Sequence, residues 1–219
     1  MTAQAGGASF LSVERQEEHL ADRKVIRRQL RQARRELSRA VQQHAARQVA
    51  QQLTRAMILR PGRRIGIYLA MPGELNLHPT IERAWLRGCH LFVPHIVSIT
   101  RGEMDFYRYT RDSRLVIHRW GIPQLPASVG RSPVSPLTLD AVLVPTVAFD
   151  ANGHRLGMGA GFYDRHFARL RSAQQWHRPR LIGVAYSFQQ VAAIAAQAHD
   201  VQLDAVVTES AFTTFARAE

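Results

Sequence analysis

Several chemistries are excluded by what this chain of 219 residues lacks. Cys89 is its only cysteine, so no internal disulfide can form. It lies in Trp85-Leu-Arg-Gly-Cys-His-Leu-Phe, at the start of an expected strand, where it reads as a small buried hydrophobe with no group nearby to activate the thiol. Lys24 is the only lysine, and it sits in a crowded basic segment. A Schiff-base enzyme would have no other amine to use, and no glycine-rich turn is followed by the lysine of a P-loop. The histidines are scattered, without the HxH, HExxH or Cys-His spacings of a zinc site. No apolar run approaches the length that spans a bilayer, and charges at Glu14 and Arg15 interrupt any signal-peptide core. A cytoplasmic protein with no membrane partner is expected.

What is present is positive charge, with a formal net value of +12 carried almost entirely by arginine. Such a surface favours anionic ligands, whether nucleotides, polyanionic cofactors or nucleic acid, and charge alone does not choose among them. Between Ala21 and Arg39 there are eight basic residues against two acidic ones. That segment belongs to a helical region expected from Ser12 or Glu14 to Leu59, with a break near Ser38, after a disordered stretch at residues 1–13. Ile26, Leu30, Ala33 and Leu37 recur at helical spacing and form its buried stripe. Arg23, Arg27 and Arg34 fall beside the stripe and can reach a cleft against the body of the protein. Arg28 and Arg35 point away from it, and Arg31 lies between.

Beyond Pro61-Gly62 the pattern alternates. Strands are expected at Arg64–Leu69, Cys89–His95, Glu103–Tyr109, Leu115–Trp120, Leu139–Val147, Leu181–Tyr186 and Leu203–Val207. Helices are expected at Leu77–Arg87, Tyr163–Leu170 and Val191–Ala198, and a loop at Gly121–Pro136. The run at Leu139–Val147 is aliphatic on both faces, as a strand buried on both sides requires. Short strands alternating with helices indicate βαβ units. The expected fold is therefore α/β: one three-layer α/β/α domain over residues 14–219, Rossmann-like, with a central, mostly parallel mixed sheet and a basic N-terminal helical region.

The segment with most chemistry is Leu143 to Phe167. A strand ends at Pro145, and Arg155, glycines at 157, 159 and 161, and Tyr163-Asp164 then lead into a helix. Alternate glycines let the backbone approach a ligand and turn successive N–H groups into an anion nest. The helix N-terminus adds further donors, and Arg155 offers a fork to phosphate oxygens. Asp164 would repel a phosphate unless a cation lay between them, which marks it as a magnesium-side carboxylate.

Phe149-Asp150, Gly153, Arg155-Leu156-Gly157, Gly159, Gly161 and Tyr163-Asp164 together resemble the FDxxGxRLGxGxGxYD signature of the 5-formyltetrahydrofolate cyclo-ligase family. The basic helix, Met71-Pro-Gly-Glu-Leu75, Gly102 to Tyr109 and the late His199-Asp200 and Leu203-Asp204 follow in family order. The resemblance implies an ATP- and Mg2+-dependent enzyme that turns 5-formyltetrahydrofolate into 5,10-methenyltetrahydrofolate through a phosphorylated formyl group. Nucleotide phosphates are then expected on Arg23, Lys24, Arg27, Arg155, Gly157, Met158, Gly159, Ala160, Gly161, Phe162 and Asp164. Folate is expected on Met71, Glu74, Met104, Trp120 and Tyr163, with Tyr68, Phe106 and Phe162 as further apolar wall. The metal falls to Asp164 and Asp200, with Asp204 as the alternative to Asp200, while Arg155 and Tyr163 position the reacting groups and stabilise charge. Ala160 stands where glycine or lysine is common, and Leu125 where proline is common. The expected partner is folate, whose polyglutamate tail a basic surface would welcome, with the protein a monomer that does not bind nucleic acid. Two rivals remain open: a nucleic-acid-binding protein using the arginine-rich helix, and a relative turned to another pterin- or thiazole-type substrate.

Overall fold

The computed structural model describes residues 7–98, 103–117, 123–126, 132–159, 161–173, 179–198 and 200–216, with backbone alone for 7–21 and 169–173. Helix α1 spans Gly7–Glu36 and α2 spans Arg39–Arg55. The break between them falls at Ser38, whose hydroxyl accepts the Val41 N–H and caps α2. α1 starts at Gly7, earlier than the Ser12 or Glu14 expected; residues 7–13 contain no proline and no charge to oppose a helix.

After β1 (Arg64–Gly66) come α3 (His78–Leu86), β2 (His90–Ser98) and β3 (Glu103–Tyr109). Pro79 sits in the first turn of α3, where its missing N–H costs no helical bond. Next come the small ribbon β4 (Val116–Ile117) with β5 (Pro123–Gln124), and then β6 (Ala141–Pro145). β7 (Ala148–Phe149) pairs with β8 (Arg155–Leu156), and α4 (Phe162–Ala173), β9 (Arg180–Val184), β10 (Ala205–Val207) and β11 (Phe212–Thr214) complete the order.

Among the described residues seven strands form one sheet in the order β11-β10-β9-β6-β1-β2-β3. The inner strands are parallel, and the two edges, β3 and β11, are antiparallel. Alternation along the strands divides the core between two faces. Leu91, Val93, Ala141, Leu143, Ile182 and Val184 pack in one cluster with α2 and α3 residues such as Val49, Leu53, Ile81 and Ala84. Their neighbours Phe92, Val142, Val144 and Leu181 face the other way, onto Phe106 and Phe167 of α4. The sheet is therefore covered on both sides, which gives the three layers expected. Cys89 is buried at the entry to β2 and donates to the Arg60 carbonyl, as a structural thiol would.

Residues 191–198 do not form the expected helix. Their apolar periodicity is real, but distant groups take up their backbone polar atoms. The Phe149 carbonyl accepts the Val191 N–H, Asp150 Oδ2 accepts the Ile194 N–H, Arg23 donates to the Ala195 carbonyl, and Asp200 accepts the Gln197 N–H. These bonds satisfy the segment in an extended course over the small β7–β8 hairpin.

Candidate active site

From β1 the chain proceeds outward to β2 and β3, then crosses back to β6 on the other side of β1 and continues to β9 and β10. That reversal opens a crevice beyond the C-terminal ends of β1 and β6, where α/β sheets place their ligands. A cavity of about 350 Å3 occupies it. Tyr68 and Leu69 after β1, Val93 and Pro94 in β2, and Val144 and Pro145 of β6 line its strand side. Met71, Met104, Phe162 and Tyr163 add the apolar walls expected of them. Phe106 is instead fully buried among core side chains, in a cluster with Phe92 and Phe167. Tyr68 is tied down by donating to the Leu75 carbonyl at 2.8 Å, and Tyr163 stacks on Phe167.

Glu74 also lines this apolar space, though only 9% of it is exposed. Its Oε2 accepts the Met71 N–H at 3.0 Å, closing the Met71–Glu74 turn. Burial raises its carboxyl above the ordinary range, while the Met71 N–H and the positive charge of Arg34 pull it back. Burial likewise pushes up the Tyr163 phenol; Glu74 adds to this and Arg155 opposes it, so Tyr163 is a neutral donor in the wall.

The glycine segment bounds the cavity on its other side. Gly159 and Gly161 take φ of +109° and +61°, which side-chain-bearing residues avoid. A Cβ at Gly157 or Gly159 would meet nothing within 4 Å, so the loop leaves open space over its own backbone. Arg27 reaches from α1 and donates Nε–H to the Gly157 carbonyl at 3.0 Å, fastening the loop to the helix. Beyond the loop lies a second hollow of about 400 Å3, lined by Lys24, Arg27, Arg28, Arg31, Gln32, Arg35, Met158 and Gly159. Among the described residues only Met158 lines both spaces.

Of the cations expected at phosphates, Lys24 and Arg27 face this basic cleft and Arg155 lines the apolar cavity. Arg23 does neither. It is buried, donates to both oxygens of Asp200 at 2.7 and 3.2 Å, and also donates to the Ala195 carbonyl. Asp200 Oδ2 further accepts the Gln197 N–H, so this carboxylate is bonded to α1 and lines neither the apolar cavity nor the basic cleft. Asp164, at the start of α4, accepts Arg155 at 2.6 Å and the Val201 N–H at 3.2 Å, both through Oδ1, and it lines the cavity. Asp204 accepts the Leu181 N–H at the opposite end of the sheet, which removes it as an alternative. Among the described residues no group of three His, Cys, Asp or Glu side chains forms a metal cage. Magnesium needs none, because it is held by one or two carboxylates together with ligand phosphates and water, and Asp164 fits that arrangement.

The sequence predicts that Arg34 reaches a cleft but assigns no role to it, to Gln189 or to Asp150. Arg34 is 4% exposed and touches Met158 Sδ at 3.8 Å. Gln189, also buried, donates to the Thr146 and Val147 carbonyls and accepts the Tyr186 N–H, joining the chain beyond β6 to the chain beyond β9 at the crevice. Asp150, the aspartate of Phe149-Asp150, accepts four bonds, from Asn152 N, His154 N, His154 Nδ1 and Ile194 N, so it organises the loop leading to Arg155 and contacts no ligand space. Leu125 is buried in the main core cluster, which gives an apolar side chain at that position a packing role. Trp120, Ala160 and His199 lie outside the described residues.

An apolar cavity beyond the C-terminal ends of parallel strands, beside a cationic cleft, is an arrangement typical of α/β enzymes. Residues 19–209 match the 5-formyltetrahydrofolate cyclo-ligase family. The chain is 35% identical over 187 residues to the 5-formyltetrahydrofolate cyclo-ligase of Escherichia coli K12, covering 83% of this chain and 97% of that protein. Against the Haemophilus influenzae cyclo-ligase it is 34% identical over 185 residues, covering 83% and 94%. The fold superimposes on the 5,10-methenyltetrahydrofolate synthetase of Aquifex aeolicus with a TM-score of 0.72 at 27% identity, over 90% of this chain and 94% of that one. With the Mycoplasma pneumoniae synthetase the TM-score is 0.67 at 25% identity, over 86% and 99%. The chain belongs to the 5-formyltetrahydrofolate cyclo-ligase family and is an enzyme of that kind.

Proposed function

We propose that the protein converts 5-formyltetrahydrofolate into 5,10-methenyltetrahydrofolate, consuming ATP with magnesium and releasing ADP and phosphate. The observation that carries this reading is the glycine loop with open backbone on top, placed between an apolar cavity and a basic cleft that share Met158. The flat pterin takes the apolar cavity against Tyr163, Met71 and Met104, with Glu74 as an acceptor for its ring N–H groups. The triphosphate lies along the glycine loop, held by its N–H groups and by Lys24, Arg27 and Arg155.

An N5-formamide carbon is a poor electrophile, and its oxygen leaves poorly. Transfer of the γ-phosphoryl group to that oxygen expels ADP and gives a phosphorylated iminium. N10 then adds to the carbon and gives up its proton, and the C–O bond breaks to release phosphate. Such a sequence needs no protein nucleophile; it needs alignment and stabilisation of migrating charge. Arg155, oriented by Asp164, is placed to provide that stabilisation, and the neutral Tyr163 phenol holds the ring in register. Asp164 would be the protein carboxylate that holds magnesium, which would supply positive charge to offset that of the phosphates. Arg23 and Asp200 act behind this arrangement, anchoring α1 to the segment that precedes Val201.

The test is conversion of 5-formyltetrahydrofolate with ATP and magnesium, followed by the absorbance of the methenyl product. Wild type is expected to turn over. Asp164→Asn is expected to lose about two orders of magnitude in kcat, the scale of a lost metal contact, while Asn Oδ1 still accepts Arg155. A folded protein that binds ATP but makes no product would retain the anion site and remove folate as the substrate.

A further inference from the structure

Arg34 is a buried cation with its bonding left open. Its side chain comes from the last turns of α1, and the residue is 4% exposed. Among the described residues its Nε–H has no partner and its Nη2 contacts only the thioether of Met158, a weak acceptor at 3.8 Å. Among the described residues no carboxylate bonds it directly. A buried guanidinium left in that state is costly, so the fold must place it there for a charge that complements it at a short distance.

Two contacts locate it. Met158 is the side chain shared by the apolar cavity and the basic cleft, so Arg34 stands behind the partition between them. The next residue, Arg35, lays its stem against Gly73: a Cβ built on that glycine would lie 3.9 Å from Arg35 Cγ. Gly73 precedes Glu74 in the turn closed by the Met71 N–H. The end of α1 therefore seats on the turn that carries the cavity's buried glutamate.

We infer that Arg34 is a positioning residue for Glu74: it fixes Glu74 as the anion of the apolar cavity, ready to accept the N–H groups of a nitrogen heterocycle. That substrate class rests on the folate reading above; the pairing of the two residues does not. The other groups around them support the assignment. Burial raises the phenols of Tyr68, Tyr163 and Tyr186, which therefore stay neutral, and Arg155 is occupied by Asp164. Arg31, on the same helix, opposes the Arg34 charge, while Glu74 favours it. Among the described residues Arg34 is thus the cation whose field acts to keep Glu74 ionised against its burial.

The side-chain carboxyl of Glu74 can be titrated by 13C NMR in the ligand-free protein, its signal assigned by its loss in Glu74→Gln. Arg34→Met is expected to move the Glu74 midpoint up by about one pH unit, and Arg34→Lys to leave it near the wild-type value. Equilibrium binding of 5-formyltetrahydrofolate should then fall at higher pH in Arg34→Met than in wild type. In a Glu74→Gln background the Arg34→Met change should add no further loss of folate affinity. An unmoved Glu74 midpoint in folded Arg34→Met overturns the inference whatever the protein binds. Failure of wild type to bind folate, with the midpoint shifted, overturns instead the reading of the cavity and leaves the pairing in place.

Discussion

At the scale of single residues, the site separates stability from function at Glu74. Its carboxyl is raised above its unfolded value of about 4.5, chiefly by burial. The folded state therefore binds the proton more tightly than the unfolded one does. Stability is fullest while Glu74 is protonated and is lost as pH rises through the folded value. Glutamine mimics the protonated form and can still accept the Met71 N–H. Glu74→Gln is expected to unfold at a higher temperature than wild type at pH 7.5 and at the same temperature near pH 4. Folate affinity should fall by about tenfold to a hundredfold, the cost of a charged acceptor. Calorimetry at the two pH values and a binding titration check both parts. Equal melting temperatures at pH 7.5 would remove the cost assigned to the buried charge.

At the scale of elements, the glycine loop depends on structure behind it. Asp150 gathers the loop that leads to Arg155 and draws the 191–195 segment onto the β7–β8 hairpin. Asp150→Ala leaves the buried Ile194 N–H and the part-buried Asn152 and His154 N–H groups without this acceptor and should cost about 3 kcal/mol in chemical denaturation. Gly153, in the same loop, has φ +81°, and a Cβ there would lie 2.8 Å from the Phe215 ring and 3.0 Å from the Leu203 carbonyl. Gly153→Ala should cost about 2–4 kcal/mol, combining backbone strain with overpacking. Either variant should lower the midpoint of unfolding before it alters the chemistry of the remaining folded fraction. An unchanged midpoint in both would show that the loop does not depend on these contacts.

At the scale of the whole molecule, charge is distributed unevenly between the two subsites. The basic cleft carries five cations along one face of α1, whereas Arg155 in the apolar cavity is neutralised by Asp164. Raising NaCl from about 50 mM to about 500 mM should weaken ATP binding roughly tenfold while changing folate binding by less than about threefold. Two parallel titrations measure this, and equal salt dependence would mean that the ligands do not divide between the subsites as proposed. No helix among the described residues is long and apolar enough to cross a membrane.

The sequence by itself determined the elements that depend on short-range chemistry. The Ser38 break, the strands around Leu91, Leu143 and Ile182, the glycine loop and Asp164 at the head of α4 all follow from local pattern. Met71, Glu74, Met104 and Tyr163, grouped together from the sequence, line one cavity. Tertiary structure decided whatever depends on partners far along the chain. Residues 191–198 have helical periodicity but spend their backbone bonds on Asp150, Arg23 and Phe149. Arg23 and Arg27 differ by one helical turn, yet Arg23 is bound to Asp200, 177 residues away, and Arg27 to Gly157, 130 residues away. Periodicity identifies which face of α1 is buried. Which arginine meets a carboxylate, which meets a loop and which, like Arg34, is left open depends on where the far end of the chain comes to rest.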